Sequence, residues 1–210
     1  MKQSYSGIIL AGGKNSRFGG INKALLDLDG KLLLDRILNV MKPYFEEIIL
    51  ITNNPELYLD WDIVIASDCF DIRCSLSGIH AGLLYANNPF VFVVSCDAPF
   101  INKDIINLLL EKHKPEIDIL VPETSKGMEP LQAIYSKRCL KPIERNLINE
   151  NLKIINFFKY MRVEKICENQ INKIDPEKIS FFNINTAEDF KYALNIMQKN
   201  NIKSRKFNRL

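Results

Sequence analysis

The sequence predicts an α/β fold, with βαβ units arranged around a mostly parallel sheet that carries helices on both faces. Three observations predict it. Short β-rich apolar runs recur along the chain, among them "GIILAG", "EEIILIT", "WDIVIAS" and "FVFVVSC", as expected of strands buried on both faces. Segments whose apolar residues recur with helical spacing alternate with them, which is what parallel strands require of their connections. Turn and stop signals, Asp29-Gly30, Pro43 and Asn87-Asn88-Pro89, punctuate the alternation.

Taken in order, "GIILAG" is the first strand, and the glycine-rich run "LAGGKNSRFGGINKALL" (10 to 26) follows it at once. After the Asp29-Gly30 turn, Leu32, Leu33, Ile37, Leu38 and Met41 mark one face of a helix that Pro43 ends. "EEIILIT" and "WDIVIAS" are strands separated by "NNPELYLD". "SGIHAGLLYANNP" is a helix, "FVFVVSCDAPF" the strongest strand pattern, "NKDIINLLLEKH" a helix opened by Asn102 as N-cap, and "DILVPE" a strand. The pattern is less regular from "GMEPLQAIYSKRCL" onward. "LQAIYS" suggests a strand, "LKPIERNLINE" and "LKIINFFKYM" helices, "VEKICE" and "FFNIN" strands, and "TAEDFKYALNIMQK" a helix. Thr186 and Asp189 stand at the spacing of a capping box at that last helix.

A chain of 210 residues with 47% hydrophobic content can bury one substantial core, and its 25% charged content is ordinary for a globular protein. Residues 1–198 are expected to form a single domain, and 199–210, where Lys199, Lys203, Arg205, Lys206 and Arg209 meet no acidic residue, a basic disordered tail. A net charge of +3 is too small to indicate nucleic acid. The five cysteines, Cys69, Cys74, Cys96, Cys139 and Cys167, form no Cys-x-x-Cys pair, so neither a zinc knuckle nor a disulfide framework is indicated. No run reaches the length of a membrane span, and the apolar run near the start meets glycine too soon for a signal peptide. A reducing cytoplasm is the expected home.

Glycine lets backbone N–H groups turn toward an anion, and lysine adds a mobile positive charge. The loop at 10–26 therefore suggests a phosphate grip. It is not a Walker A loop, because Gly19 is followed by Gly20 and Lys23 by Ala24. Gly12, Gly13, Gly19 and Gly20 also miss the Gly-x-Gly-x-x-Gly spacing of the dinucleotide fingerprint, which disfavours a nicotinamide oxidoreductase. Ligands of doubly wound sheets bind beyond the carboxyl ends of the strands, where this loop, Asp68 and Asp97 all fall. A carboxylate ending so apolar a strand is costly unless it meets a cation or donors, and opposite a lysine-bearing loop Asp97 is suited to hold Mg2+ with nucleoside triphosphate oxygens completing the shell. Arg17 and Lys23 can reach the same polyphosphate. Cys96 reads as a buried inert thiol, His80 as packed or at a site rim, and His113 as a helix-end contact.

The opening run resembles the Leu-Ala-Gly-Gly signature of the α/β nucleotidyltransferases. With "NNPELY" (53–58), "SDC" (67–69), "SLSGIHAGL" (75–83), "SCDAPF" (95–100), "EPLQAIY" (129–135) and "FFNINTAEDF" (181–190), it is most similar to the molybdenum cofactor guanylyltransferases. The resemblance spans nearly the whole chain. It implies a three-layer α/β/α, Rossmann-like nucleotidyltransferase fold that joins GMP from GTP to molybdopterin with release of pyrophosphate. It also implies that Leu10, Ala11, Gly12 and Gly13 approach the nucleotide and that Lys23 binds its phosphates. Asn53 and Asp68 would then lie near the nucleoside, Asp97 would carry Mg2+, and Asn183 and Asn185 would lie near the pterin phosphate.

The partners so implied are GTP and the molybdenum cofactor, with transient contact to other cofactor-biosynthesis proteins, for a monomer that binds neither nucleic acid nor membrane. The chain departs from the usual pattern in four places: Phe18 for methionine, Asn22 for aspartate, Cys74-Ser75-Leu76 for Gly-Pro-Leu, and Glu129-Pro130 for Gln-Pro. A related transferase, using CTP on molybdopterin or an NTP on a sugar or polyol phosphate, needs the same triphosphate grip. A non-catalytic nucleotide-binding module is the rival of a different class.

Overall fold

Tyr5–Leu10, all apolar or small from Ser6 onward, form the first strand (β1) of an eight-stranded sheet in the computed structural model, which describes residues 4–12 and 22–207, from 200 on as backbone alone. The further strands are β2 (Glu47–Ile51), β3 (Val64–Ala66), β4 (Phe90–Ser95), β5 (Ile119–Thr124), β6 (Gly127–Met128), β7 (Gln132–Ser136) and β8 (Val163–Ile166). They lie in the order β3-β2-β1-β4-β7-β5-β6, with β8 beside β5. β1 pairs in parallel with β2 and β4, β2 with β3, and β5 with β8, while β7 runs antiparallel between β4 and β5. The helices are α1 (Leu33–Met41), α2 (Ser75–Tyr85), α3 (Lys103–Lys112), α4 (Leu140–Ile148), α5 (Glu168–Asn172) and α6 (Ala187–Phe207).

Strand alternation divides the core between two faces. Ile9, Phe92 and Val94 pack with Leu34, Ile37 and Met41 of α1 and Ile105 and Leu109 of α3. Ile8, Leu10, Val91 and Val93 pack on the other face with Leu76, Ile79 and Leu83 of α2 and Ile143 and Leu147 of α4. The result is the expected three-layer α/β/α sandwich, each fully buried side chain of this size contributing about 1.5–3 kcal/mol. α2 lies close to β1 because Gly78 and Gly82 face it; a Cβ at Gly82 would sit 2.7 Å from Ile8 Cγ2. A third cluster, Leu28, Leu33, Ile184 and Ala193, seats α6 against the start of α1.

Several expected elements take a different form. "FFNIN" is not a strand: a 3-10 turn (Ile179–Phe181) is followed by irregular chain, because its amides are engaged elsewhere. Ile184 N–H donates to Asp97 O at 2.9 Å, and the N–H groups of Asn185 and Thr186 donate to Asp189 Oδ2 at 2.9 and 2.8 Å. "LKIINFFKYM" forms a 3-10 helix (Ile154–Tyr160) instead of an α-helix, consistent with its β-branched and aromatic content. "WDIVIAS" contributes only three residues at the sheet edge. Asn102 caps α3 through Asp104 N–H at 2.8 Å, and Thr186 Oγ1 accepts from Asp189 N–H at 3.1 Å, completing the capping box. The backbone of α6 passes the expected boundary at 198/199 without a break; no glycine or proline follows Pro176, and basic residues suit a helix carboxyl end. No helix among the described residues is long and apolar enough to cross a membrane.

Candidate active site

β1, β2 and β4 end side by side, and their carboxyl ends form the floor of a cavity of about 240 Å3. Leu10, Ala11, Gly12, Lys23, Asp68, Asp97, Asn183 and Asn185 all line it. Residues 12, 68, 97 and 185, far apart in the chain, are thus brought to one place. Gly13 and Arg17 lie outside the described residues. Backbone bonds hold the floor: Ala11 N–H donates to Ile51 O at 2.8 Å, and Cys96 N–H to Leu10 O at 3.0 Å.

One end of the cavity is ionic. Lys23, in a 3-10 turn (Lys23–Leu25), donates from Nζ to Asp97 Oδ2 at 3.0 Å and to Asn185 Oδ1 at 2.9 Å. Both side chains of the ion pair are 15% exposed, so the charges are largely but not wholly removed from water. Asp97 follows β4 in a turn closed by Ala98 N–H donating to Ser95 O at 3.2 Å. Its second oxygen accepts from Ser95 Oγ at 2.6 Å. Sequence reasoning passed over Ser95; its signal was the spacing of two, which places neighbouring strand-end side chains on one side. The Ile184 to Asp97 backbone bond brings the 183–185 segment to this end, and the α6 cap secures Asn185.

The other end is formed by Asp68 and the start of α2, while Asn53 is bonded to Asp68 without being one of the described lining residues. Asn53 Nδ2 donates to Asp68 Oδ2 at 3.0 Å. Asp68 Oδ1 is buried and has no hydrogen-bond partner among the described residues. Burial raises the Asp68 pKa, opposed by the hydrogen bond from Asn53 and by nearby Ser77 and Arg73. Asp68 itself lines the cavity, so its carboxylate stands beside whatever fills this end. A Cβ on Gly12 would lie 3.8 Å from Asn53 Nδ2, so the main chain there approaches this pair closely. Cys74, Ser75 and Gly78 complete the wall, and Cys74 Sγ caps α2 by accepting from Ser77 N–H at 3.4 Å.

The remaining titratable candidates lie off the chemistry. Cys96 lines the floor, but burial first and then Asp97 push its thiol far up, so it is no nucleophile. His80 is buried, with Nε2 3.1 Å from Glu144 Oε1, and His113 meets the Tyr5 hydroxyl at 3.0 Å. Among the described residues no group of three or more His, Cys, Asp or Glu side chains could hold a metal. A cation here would therefore rest on Asp97 with few protein oxygens. Asn185 Oδ1 supplies another such oxygen, since one ammonium already touches both.

Comparison with known proteins gives a consistent picture. Residues 7–160 match the family model described as a MobA-like NTP transferase domain. A molybdenum cofactor guanylyltransferase of Desulfosudis oleivorans is 43% identical over 90% of this chain and 94% of its own. A probable molybdenum cofactor guanylyltransferase of Clostridium perfringens is 41% identical over 88% and 93%. The crystal structure of molybdopterin-guanine dinucleotide biosynthesis protein A from Archaeoglobus fulgidus superposes with a TM-score of 0.82 at 28% identity, covering 92% of this chain and 99% of that one.

Proposed function

This chain belongs to the molybdenum cofactor guanylyltransferases, within the MobA-like NTP transferase family, and from that premise we propose that it transfers GMP from GTP to the terminal phosphate of molybdopterin. The names of these relatives favour neither a cytidylyl nor a sugar-phosphate acceptor chemistry. The observation that carries the reading is the contact of Lys23 with both Asp97 and Asn185, a cation between two oxygens at the mouth of a nucleoside-sized cavity.

The reaction forms one bond and breaks one. An oxygen of the acceptor phosphate attacks the α-phosphorus of GTP, the bond to the β-phosphate oxygen breaks, and pyrophosphate leaves with that electron pair. The nucleophile is already an anion, so no general base is required, in keeping with a cavity that lacks a histidine. Catalysis then rests on positioning and charge. Asp68 and Asn53 take the nucleoside end, Leu10, Ala11 and Gly12 present main chain to the nucleotide, and Lys23 neutralises phosphate oxygens; the same roles are proposed from the sequence alone for Gly13 and Arg17. Asn183 and Asn185 take the acceptor side.

Asp97 and Asn185 fit a hard divalent cation such as Mg2+, which takes one or two carboxylates and leaves its other positions to phosphates and water. Bound there, the cation supplies charge neutralisation to the phosphates. Ser95 keeps the Asp97 carboxylate oriented. Pyrophosphate release measured with GTP and with CTP, each with and without molybdopterin, tests the reading. Release with GTP only when molybdopterin is present supports it; release with neither nucleotide overturns it.

A further inference from the structure

Lys23 gains its place from the residue before it. Asn22 is the N-cap of the 3-10 turn that carries the lysine, and its Oδ1 accepts from Ala24 N–H at 3.1 Å. The same amide meets the Tyr58 hydroxyl, which lies 2.7 Å from Nδ2 and 3.0 Å from Oδ1. Tyr58 is fully buried, at the end of a 3-10 turn (Pro55–Tyr58), with its ring 5.9 Å from that of Trp61. A buried phenol must find a partner for its O–H, and this one finds it on the turn that bears Lys23. Burial raises its pKa to about 12, so it stays a neutral donor. The segment that ends in Tyr58 begins beside Asn53, whose amide holds Asp68.

We infer that Tyr58, acting through Asn22, is a positioning residue: it anchors the Lys23 turn to the nucleoside-side segment and so aims the ammonium at the phosphate end of the cavity. The inference rests on the reading above that Lys23 grips the GTP phosphates. Three features support it. The phenol's hydrogen bond joins two segments 36 residues apart in the chain. Its partner is the residue next to Lys23, within one short turn, so displacement of the cap moves the lysine Cα directly. An N-cap side chain also satisfies an otherwise unpaired amide of the turn it opens, here that of Ala24, so its loss releases the turn that carries Lys23.

The test measures GTP and guanosine binding to the full chain by titration calorimetry, because only GTP engages the lysine. Tyr58→Phe removes one oxygen and keeps the ring that fills the core. We expect it to weaken GTP about tenfold, leave guanosine within twofold, and cost little more in a Lys23→Ala background, where its target is already gone. Asn22→Ala should match it. Asn22→Asp, which keeps an oxygen for both the Ala24 amide and the Tyr58 hydroxyl, should restore GTP binding to within threefold of wild type. A merely structural role would lower Tm and leave the ratio of GTP to guanosine affinity unmoved. GTP affinity unchanged in Tyr58→Phe, an equal loss for guanosine, or additive effects with Lys23→Ala would overturn the inference while leaving the function standing. No effect of Lys23→Ala itself would overturn both.

Discussion

Replacing Gly78 by alanine separates stability from nucleotide binding at one atom. The added Cβ would lie 3.1 Å from Leu10 Cδ2 and 3.8 Å from Asp68 Oδ1. For stability two effects oppose. Alanine is favoured over glycine in a helix by about 1 kcal/mol, and moving the Leu10 methyl by a few tenths of an ångström costs about the same. The net should be within about 1 kcal/mol, a Tm change of no more than about 2–4 °C for a chain of this size. Binding has no such compensation. Gly78 and Asp68 both line the cavity, and the new methyl, in van der Waals contact with the Asp68 carboxylate, would hold a nucleoside donor away from it. A hydrogen bond to a charged group is worth about 1.5–3 kcal/mol, so GTP affinity should fall about 10- to 150-fold. Thermal melts and calorimetric titration of the same sample measure both. An unchanged Tm with GTP affinity within twofold of wild type would show that the nucleoside does not use the Asp68 face. A collapse of Tm would instead refute the packing argument.

The other predictions follow from contacts already described. Asp97→Asn should lower Mg2+-dependent pyrophosphate release by about 1,000-fold, the scale of losing a preorganised charge contact, while stability falls by about 1–2 kcal/mol because the Lys23 pair is only partly exposed; near-normal Mg2+-dependent turnover would refute its assignment. Gly82→Ala should behave in the opposite way to Gly78→Ala: with its Cβ 2.7 Å from Ile8 Cγ2, overpacking of about 1–3 kcal/mol should lower Tm and leave GTP affinity of the folded protein unchanged. Asp118, buried, is held by Arg138 and Arg162; burial disfavours its charge, but their hydrogen bonds outweigh that and hold the carboxyl well below the usual range. The unfolded chain therefore binds a proton at higher pH than the folded one, so this contribution is intact above about pH 4 and lost as the pH falls below it. Urea unfolding from pH 6 to pH 2.5 should show that slope, and Asp118→Asn should flatten it.

The strands at β1, β2 and β4, the helices at α1, α2 and α3, and the caps at Asn102 and Thr186 were legible because each depends on local rules of periodicity, turn chemistry and capping. Where local propensity competed with tertiary commitments, it lost. The β-rich "FFNIN" became irregular chain once Ile184 N–H was bonded to Asp97 O and Asp189 took the next two amides. The antiparallel entry of β7 between β4 and β5 leaves no mark in its own residues, which would suit either direction.

By itself the amino-acid sequence determined that a glycine loop, Asp68 and Asp97 lie at the carboxyl ends of strands, since that follows from where each apolar run stops. Tertiary structure decided which of them touch: Lys23 meets Asp97 and Asn185, Asn53 meets Asp68, and Asn22 meets Tyr58. The reason is physical. Strand pairing and helix packing set which strand ends are neighbours, and a hydrogen bond of about 3 Å depends on that arrangement, not on the spacing of its two ends along the chain.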